Sequence, residues 1–127
     1  MEATVIVTFL VLAQYVFFGI QVGGMRVKHG VKGPAVTGHE EFERMNRVHQ
    51  NTMEQLVVFI PALWIHAQYA NPLWGAGLAL VFIAGRFIYR AEYLKDPGSR
   101  SPGFSMSFIP SAILLIWSLV VAVMRLL

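Results

Sequence analysis

Long apolar runs separated by short polar stretches make up most of this chain. The pattern predicts four helices, covering about residues 4–26, 40–69, 72–93 and 104–127. The hydrocarbon core of a bilayer is about 30 Å thick, so a helix that rises about 1.5 Å per residue crosses it in about 20 residues. All four predicted helices reach that length. We therefore predict an all-α fold, in which residues 1–127 form a single integral membrane four-helix bundle.

The second predicted helix differs from the others because its first half is charged and amide-rich. The block EFERMNRVHQNTMEQ runs without a break into the apolar LVVFIPALW. Arg47, Asn51 and Glu54 stand at i, i+4 and i+7, which places them in one stripe on one helix face, and Glu43 extends the stripe. Each polar group left unpaired at membrane depth costs several kcal/mol. The stripe therefore indicates a polar site within the bundle.

Two further polar sets lie on the first and third predicted helices. Gln14 and Gln21 are seven residues apart on one face, which predicts hydrogen bonds to neighbouring helices. The third helix ends with Arg86, Tyr89 and Tyr93 at helical spacing. Such residues ordinarily anchor a helix end at the membrane surface. Beside the stripe of the second helix, they become candidate site residues.

The composition restricts the classes of function. Of the 127 residues, 56% are hydrophobic and 13% are charged, and the mean hydropathy is +0.58, which is outside the range of soluble domains. The chain has no cysteine, which excludes disulfides, thiolate metal sites and a cysteine nucleophile. His49 and His66 do not stand at a metal-binding spacing, so we expect no metal. The pI is about 9.6, but the basic residues flank apolar runs, so we expect no nucleic-acid partner.

The basic residues predict the orientation in the membrane. Every Lys and Arg except Arg125 lies in or beside the two polar loops, at about residues 23–39 and 95–103. The positive-inside rule makes these loops cytoplasmic, so the stripe opens to the cytoplasm and both termini lie on the opposite side. The first helix lacks the basic start and the cleavage site of a signal peptide and is expected to be retained. A short chain without a retention tail favours a bacterial inner membrane over the endoplasmic reticulum.

The blocks EFERMNRVHQNTMEQ and GRFIYRAEY, with Arg100 beyond them, resemble the MAPEG family, the membrane-associated proteins in eicosanoid and glutathione metabolism. The resemblance is closest to the microsomal glutathione transferase type. It runs from about Arg26 to Arg100, and the four-helix layout covers the whole chain. It implies a homotrimer that binds glutathione, as a co-substrate, at subunit interfaces near the cytosolic face.

The resemblance also implies roles for individual residues. Those that match glutathione-binding positions are Arg47, Asn51 and Glu54 on the second helix, Arg26, Tyr89 and Tyr93 approaching from the adjacent subunit, and Arg86, which has a partly structural role. Arg100 matches the arginine that activates the thiol. His49 and Gln55 stand where the leukotriene-synthesising branch has other glutathione contacts, and both remain candidates. Val27 stands where that branch has a second catalytic arginine, which counts against leukotriene synthesis.

Glutathione carries two carboxylates, one ammonium and one thiol, and arginines, a glutamate and a further positive charge suit these groups. The implied function is a membrane glutathione transferase that adds the thiolate to hydrophobic electrophiles in detoxification, with peroxidase activity on lipid hydroperoxides as a second expectation. Three alternatives remain. They are a non-catalytic lipid- or glutathione-binding protein of the same fold, a structural membrane protein whose stripe only joins helices, and a drug exporter, which would need an acidic residue within the first helix.

Overall fold

The computed structural model describes all of residues 1–127 and contains four long helices and no strand. The helices are α1 (Glu2–His29), α2 (Glu40–Tyr69), α3 (Pro72–Lys95) and α4 (Ser101–Leu126), with a short 3₁₀ turn at Pro97–Ser99 before α4. The all-α prediction is confirmed. α1 extends beyond the predicted 4–26 at both ends, and α4 begins earlier than the predicted 104 because Pro102 is tolerated in the first turn of a helix.

The helices run up and down as an antiparallel bundle. We call the end that carries residues 30–39 and 96–100 the loop end, and the end that carries both termini and residues 70–71 the terminal end. Gln14 Nε2 donates a hydrogen bond to the Ile83 carbonyl at 2.9 Å, and Arg90 Nε donates to Gln21 Oε1 at 2.7 Å. The two glutamines of α1 therefore join it to α3, as the sequence predicted.

Three of the helices, α1, α3 and α4, are long and apolar enough to cross a membrane. α2 is just as long, but its first half carries the charged block EFERMNRVHQNTMEQ, which keeps it out of that group. The sequence predicted four crossings. The crossing by α2 stays a prediction.

The interior of the bundle has two apolar clusters. The cluster at the terminal end includes Val11, Phe59 and Leu63, whereas the cluster at the loop end includes Phe18 and Phe42. Between them lie four buried polar side chains, which we call the polar layer: Asn51, Thr52, Arg86 and Ser107. The polar layer lies where α2, α3 and α4 meet.

α4 packs on α3 through glycines that have no room for a side chain. A Cβ added at Gly103 would lie 2.3 Å from the backbone nitrogen of Tyr89, and one at Gly85 would lie 2.6 Å from the Met106 Cβ. Small residues allow helices to approach this closely in membranes. The beginning of α4 is therefore fixed against the part of α3 that carries Tyr89.

Candidate functional site

The predicted stripe of α2 forms a connected group of side chains. Arg47 Nη2 lies 3.4 Å from Glu54 Oε1, and both side chains are about half exposed, at 46% and 50%. Asn51 Nδ2 donates a hydrogen bond to the same Glu54 oxygen at 3.3 Å. Because the three residues share one helix face, they meet without help from any other element. Their charged ends lie on the outer face of α2.

Arg86 supports this group from inside the bundle. Its side chain is fully buried, and its Nη2 donates to Asn51 Oδ1 at 2.9 Å and to Thr52 Oγ1 at 3.0 Å. Its Nη1 donates to Ser107 Oγ at 3.2 Å. Because Asn51 Oδ1 accepts from Arg86, the amide nitrogen of Asn51 is left to face Glu54. Arg86 of α3 thus fixes the orientation of Asn51 on α2, and its bond to Ser107 joins the same group to α4.

Tyr89 and Tyr93 continue the site toward the loop end. Their rings stack at 5.5 Å between centroids, and the Arg86 guanidinium carbon lies 4.3 Å from the centroid of the Tyr89 ring. Tyr89 is buried, at 2% exposure, whereas Tyr93 is half-buried and lines an open cleft of about 520 Å³ together with Arg47. The stripe and the tyrosines therefore form one continuous polar region.

Tyr89 and Tyr93 each lie close to an arginine of their own chain. Tyr93 lines the cleft together with Arg47, and the Tyr89 ring packs on Arg86. The physical reason is that α2 and α3 are antiparallel neighbours, so the C-terminal turns of α3 lie level with the N-terminal half of α2. The approach of both tyrosines to glutathione from an adjacent subunit, which the resemblance implied, stays a prediction.

The two remaining arginines of the predicted site lie apart from the stripe. Arg26 Nη1 donates to the Ala35 carbonyl at 2.7 Å, and its guanidinium carbon lies 4.6 Å from the centroid of the Phe42 ring. Arg100 Nη1 donates to the Pro97 carbonyl at 2.8 Å, and Arg100 lines a small cleft at the start of α4. No hydrogen bond or ion pair connects either arginine to the stripe within one chain.

The two further candidates differ in where they point. His49 faces α1, where its ring stacks on Tyr15 at 4.3 Å between centroids. The ring also packs against Gly19, since a Cβ added there would lie 3.0 Å from His49 Nε2. His49 thus lies on the side of α2 away from Arg47. Gln55 is half-buried on α2, next to Glu54.

Sequence reasoning missed three residues that hold the site together. Thr52 and Ser107 each accept a hydrogen bond from Arg86 while donating to a carbonyl of their own helix. Hydroxyl residues within apolar helices were a signal for such a role. The third is Arg44, which bonds to the end of α3. It contacts residues about fifty positions away, so no local pattern could have revealed it.

Comparisons with known proteins agree on one family. The model of the MAPEG family matches residues 4–120. The chain is 40% identical over 114 residues to an uncharacterized protein of Synechocystis sp., covering 90% of this chain and 83% of that protein. It is 41% identical over 101 residues to microsomal glutathione S-transferase 2 of Homo sapiens, covering 80% and 69%. It is 32% identical over 90 residues to leukotriene C4 synthase of Cavia porcellus, covering 71% and 60%.

Proposed function

Because the chain belongs to the MAPEG family, we propose that it is a membrane-bound glutathione transferase that conjugates glutathione to hydrophobic electrophiles. The similarity to a microsomal glutathione transferase over most of the chain supports this choice. The observation that carries the proposal is the connected group of Arg47, Asn51, Glu54 and Arg86, which is open on one side and held from within on the other.

The open side of the stripe offers the charges that glutathione needs. Arg47 suits a carboxylate of the ligand, since a guanidinium can donate two parallel hydrogen bonds to it. Glu54 suits the ammonium group. In the free chain these two side chains pair with each other. Glutathione binding therefore replaces the Arg47–Glu54 ion pair with two ion pairs to the ligand. Asn51, oriented by Arg86, adds an amide donor, and Tyr93 adds a hydroxyl at the cleft.

Arg100 is the proposed catalytic residue. A thiol with a pKa near 8.5 is only a few per cent ionised at pH 7, and the thiolate is the nucleophile. A guanidinium beside the sulfur stabilises the thiolate. Arg100 uses Nη1 for the Pro97 carbonyl, and its other nitrogens remain available, because the group has five N–H donors. The thiolate then attacks the electrophilic carbon, the leaving group departs with its electron pair, and the thiol proton goes to solvent.

We also propose that the chain forms a homotrimer. The Arg47–Glu54 pair lies about half exposed on the outer face of α2, within one helical turn of the buried Asn51. A charge facing lipid costs about 2.5–3.5 kcal/mol on insertion scales, so a neighbouring subunit that covers this face stabilises the assembly. Chains with Arg100→Ala and chains with Glu54→Ala, each inactive alone, should then regain part of the activity in mixed trimers. Mixed trimers of confirmed composition that stay inactive would place the site within one subunit.

The proposed location is a bacterial inner membrane, with α2 as the fourth crossing, the site facing the cytoplasm and both termini on the opposite side. Nine of the ten Lys and Arg residues support this orientation, since only Arg125 lies near the terminal end. Reporter fusions to the C-terminus test it. A cytoplasmic C-terminus would contradict both the orientation and the cytoplasmic opening.

The deciding experiment is a glutathione-dependent assay of the detergent-purified protein with a chlorinated nitroaromatic and, separately, with a lipid hydroperoxide. We expect conjugation by the natural chain. Arg100→Ala should lower kcat by about tenfold or more, which corresponds to about 1.4 kcal/mol of barrier. Its KM for glutathione should change far less, because other residues hold the carboxylates.

Matched controls separate the proposal from a binding-only protein of the same fold. Arg125→Ala removes an arginine of the terminal end and should leave kcat and KM unchanged. Glutathione binding without turnover of either substrate would favour the non-catalytic alternative. If Arg100→Ala keeps full turnover, the thiol is activated elsewhere, and Tyr89 becomes the next candidate donor.

A further inference from the structure

The C-terminal end of α3 is held by a side chain from α2. Arg44 Nη1 donates to the Leu94 carbonyl at 2.9 Å and to the Lys95 carbonyl at 3.2 Å. The last four carbonyls of a helix have no partner within the helix, and a positive group favours the negative end of the helix dipole. Arg44 therefore caps α3 from a distant part of the chain.

The cap is itself fixed in place. Arg44 Nη2 pairs with Glu40 Oε1, one helical turn earlier on α2. One nitrogen of the fork thus holds the end of α3 while the other is anchored to α2, and the side chain is only 25% exposed. A lysine has a single ammonium on a flexible stem and cannot hold both partners in this planar geometry.

The segment that follows the cap leads directly to the proposed catalytic residue. Asp96 Oδ1 accepts from the Gly98 nitrogen at 3.1 Å, and Ser99 Oγ donates to the Asp96 carbonyl at 2.8 Å. Arg100 closes the turn through the Pro97 carbonyl. Local hydrogen bonds therefore fix the turn at residues 96–100 internally. The position of this turn relative to α2 then depends on where α3 ends.

We infer that Arg44 is a positioning residue for the proposed reaction. It fixes the end of α3 against α2, and through that end it sets where Arg100 and Tyr93 stand relative to the stripe. Arg44 does not act on the thiol itself. The kinetic part of this inference rests on the proposed function, whereas the cap can be tested without any activity.

The test compares Arg44→Ala and Arg44→Lys with the natural chain, both in hydrogen exchange and in glutathione conjugation. Loss of the cap should speed exchange of the backbone amides in residues 94–103 by about tenfold or more in Arg44→Ala, with a smaller change in Arg44→Lys. The amides of α1 should be unaffected. Arg125→Ala serves as the matched arginine control, and Glu40→Gln removes the charge of the anchor while leaving the cap donors in place.

The kinetic measurements separate positioning from a purely structural role. Displacement of Arg100 should lower kcat about three- to tenfold with the KM for glutathione within about twofold. It should also move the pH dependence of kcat to higher pH, because a more distant guanidinium favours the thiolate less. Glu40→Gln should show the same changes to a smaller extent, and Arg44→Lys should lie between Arg44→Ala and the natural chain.

Four results would overturn the inference, and they are distinguishable. Unchanged exchange in Arg44→Ala means that there is no cap. Faster exchange with unchanged kcat and an unchanged pH profile means that the cap is only structural. A raised KM with unchanged kcat means that Arg44 binds the ligand directly, since it lines the cleft beside Arg47. A natural chain without conjugation removes the proposed function, and with it the positioning role, while the exchange result still decides whether the cap exists.

Discussion

The two ends of the bundle are built by different rules. At the terminal end, the interior is filled by packing, and even His66 is fully buried with its ring edge-on to Trp117 at 4.4 Å and with no hydrogen bond from either ring nitrogen. At the loop end, the apolar cluster is bordered by the polar layer, in which Arg86 alone bonds to three side chains. Packing defines one end, and individual hydrogen bonds define the other.

This difference shows where the chain tolerates change. Apolar contacts are non-directional, so a neighbouring side chain can adjust to a modest change of shape. A hydrogen-bonded layer has no such freedom, because each donor removed leaves a buried acceptor without a partner. We therefore expect equal substitutions to have unequal effects at the two ends.

The largest difference is expected for a glycine-to-alanine pair. A Cβ at Gly103 would meet Tyr89 backbone atoms at 2.3 and 2.5 Å, whereas a Cβ at Gly75 would meet the Leu63 Cδ1, the end of a flexible side chain, at 3.0 Å. Gly103→Ala should destabilise the protein by about 3 kcal/mol or prevent folding, and Gly75→Ala by less than about 1 kcal/mol. Thermal unfolding in detergent measures both. Equal losses at the two positions would show that the close approach of α4 to α3 at Gly103 restricts the loop end no more than Gly75 restricts the terminal end.

The next difference concerns methionine at two buried positions. Arg86→Met keeps most of the side-chain length but leaves Asn51 Oδ1 without its donor, and we expect a loss of about 2–3 kcal/mol. Leu63→Met at the terminal end conserves volume and should cost less than about 1.5 kcal/mol. The Thr52 and Ser107 hydroxyls keep their bonds to the Val48 and Gly103 carbonyls. These bonds limit the stability lost in Arg86→Met.

A double-mutant cycle sharpens this second comparison. Arg86→Met and Asn51→Ala should show a coupling of about 1 kcal/mol or more, because the residues share a direct hydrogen bond. Leu63→Met and Asn51→Ala should be additive. If Arg86→Met is as stable as the natural chain, the polar layer is not what specifies the loop end.

The smallest effect is expected at the exposed rim of the loop end, where Glu41 stands in the first turn of α2. His29 Nε2 at 3.0 Å and Lys28 Nζ at 2.9 Å donate to Glu41 Oε1. The His29 hydrogen bond, followed by that of Lys28, lowers the pKa of the Glu41 carboxyl from its ordinary 4.5 to about 2. A lowered pKa stabilises the folded state above the ordinary value, and this stabilisation is lost as the pH falls through the folded value.

The stability difference between the natural chain and Glu41→Gln should therefore shrink as the pH falls from 4.5 to 2. It should also be small and sensitive to salt, because the pair is exposed. Thermal unfolding across this pH range provides the measurement. A difference that grows with acidity would show that Glu41 does not gain stability from His29 and Lys28.

The sequence predicted features that depend on local spacing. The four helices followed from the apolar pattern, and the contact of Arg47 and Asn51 with Glu54 followed from their spacing on one helix. The family match confirmed the resemblance. The positions of the site residues relative to a bound ligand stay predictions.

Features that depend on distant contacts could not be predicted in the same way. Arg44 meets α3 only because two antiparallel helices end at the same level. His49 faces Tyr15 because the apolar face of α2 turns that side toward α1. Tyr93 lies beside Arg47 of its own chain for the same geometric reason. In each case the pairing is set by helix rotation and packing, which a single sequence does not encode in any short window.

The charged first half of α2 also affects how the chain enters the bilayer. A helix that is not apolar enough to cross alone is not expected to leave the insertion machinery as an independent segment. α1 precedes it, lies antiparallel to it and contacts it along its length. We therefore expect α2 to insert together with α1 as a helical hairpin, so that for this one helix integration into the membrane and tertiary folding are a single event.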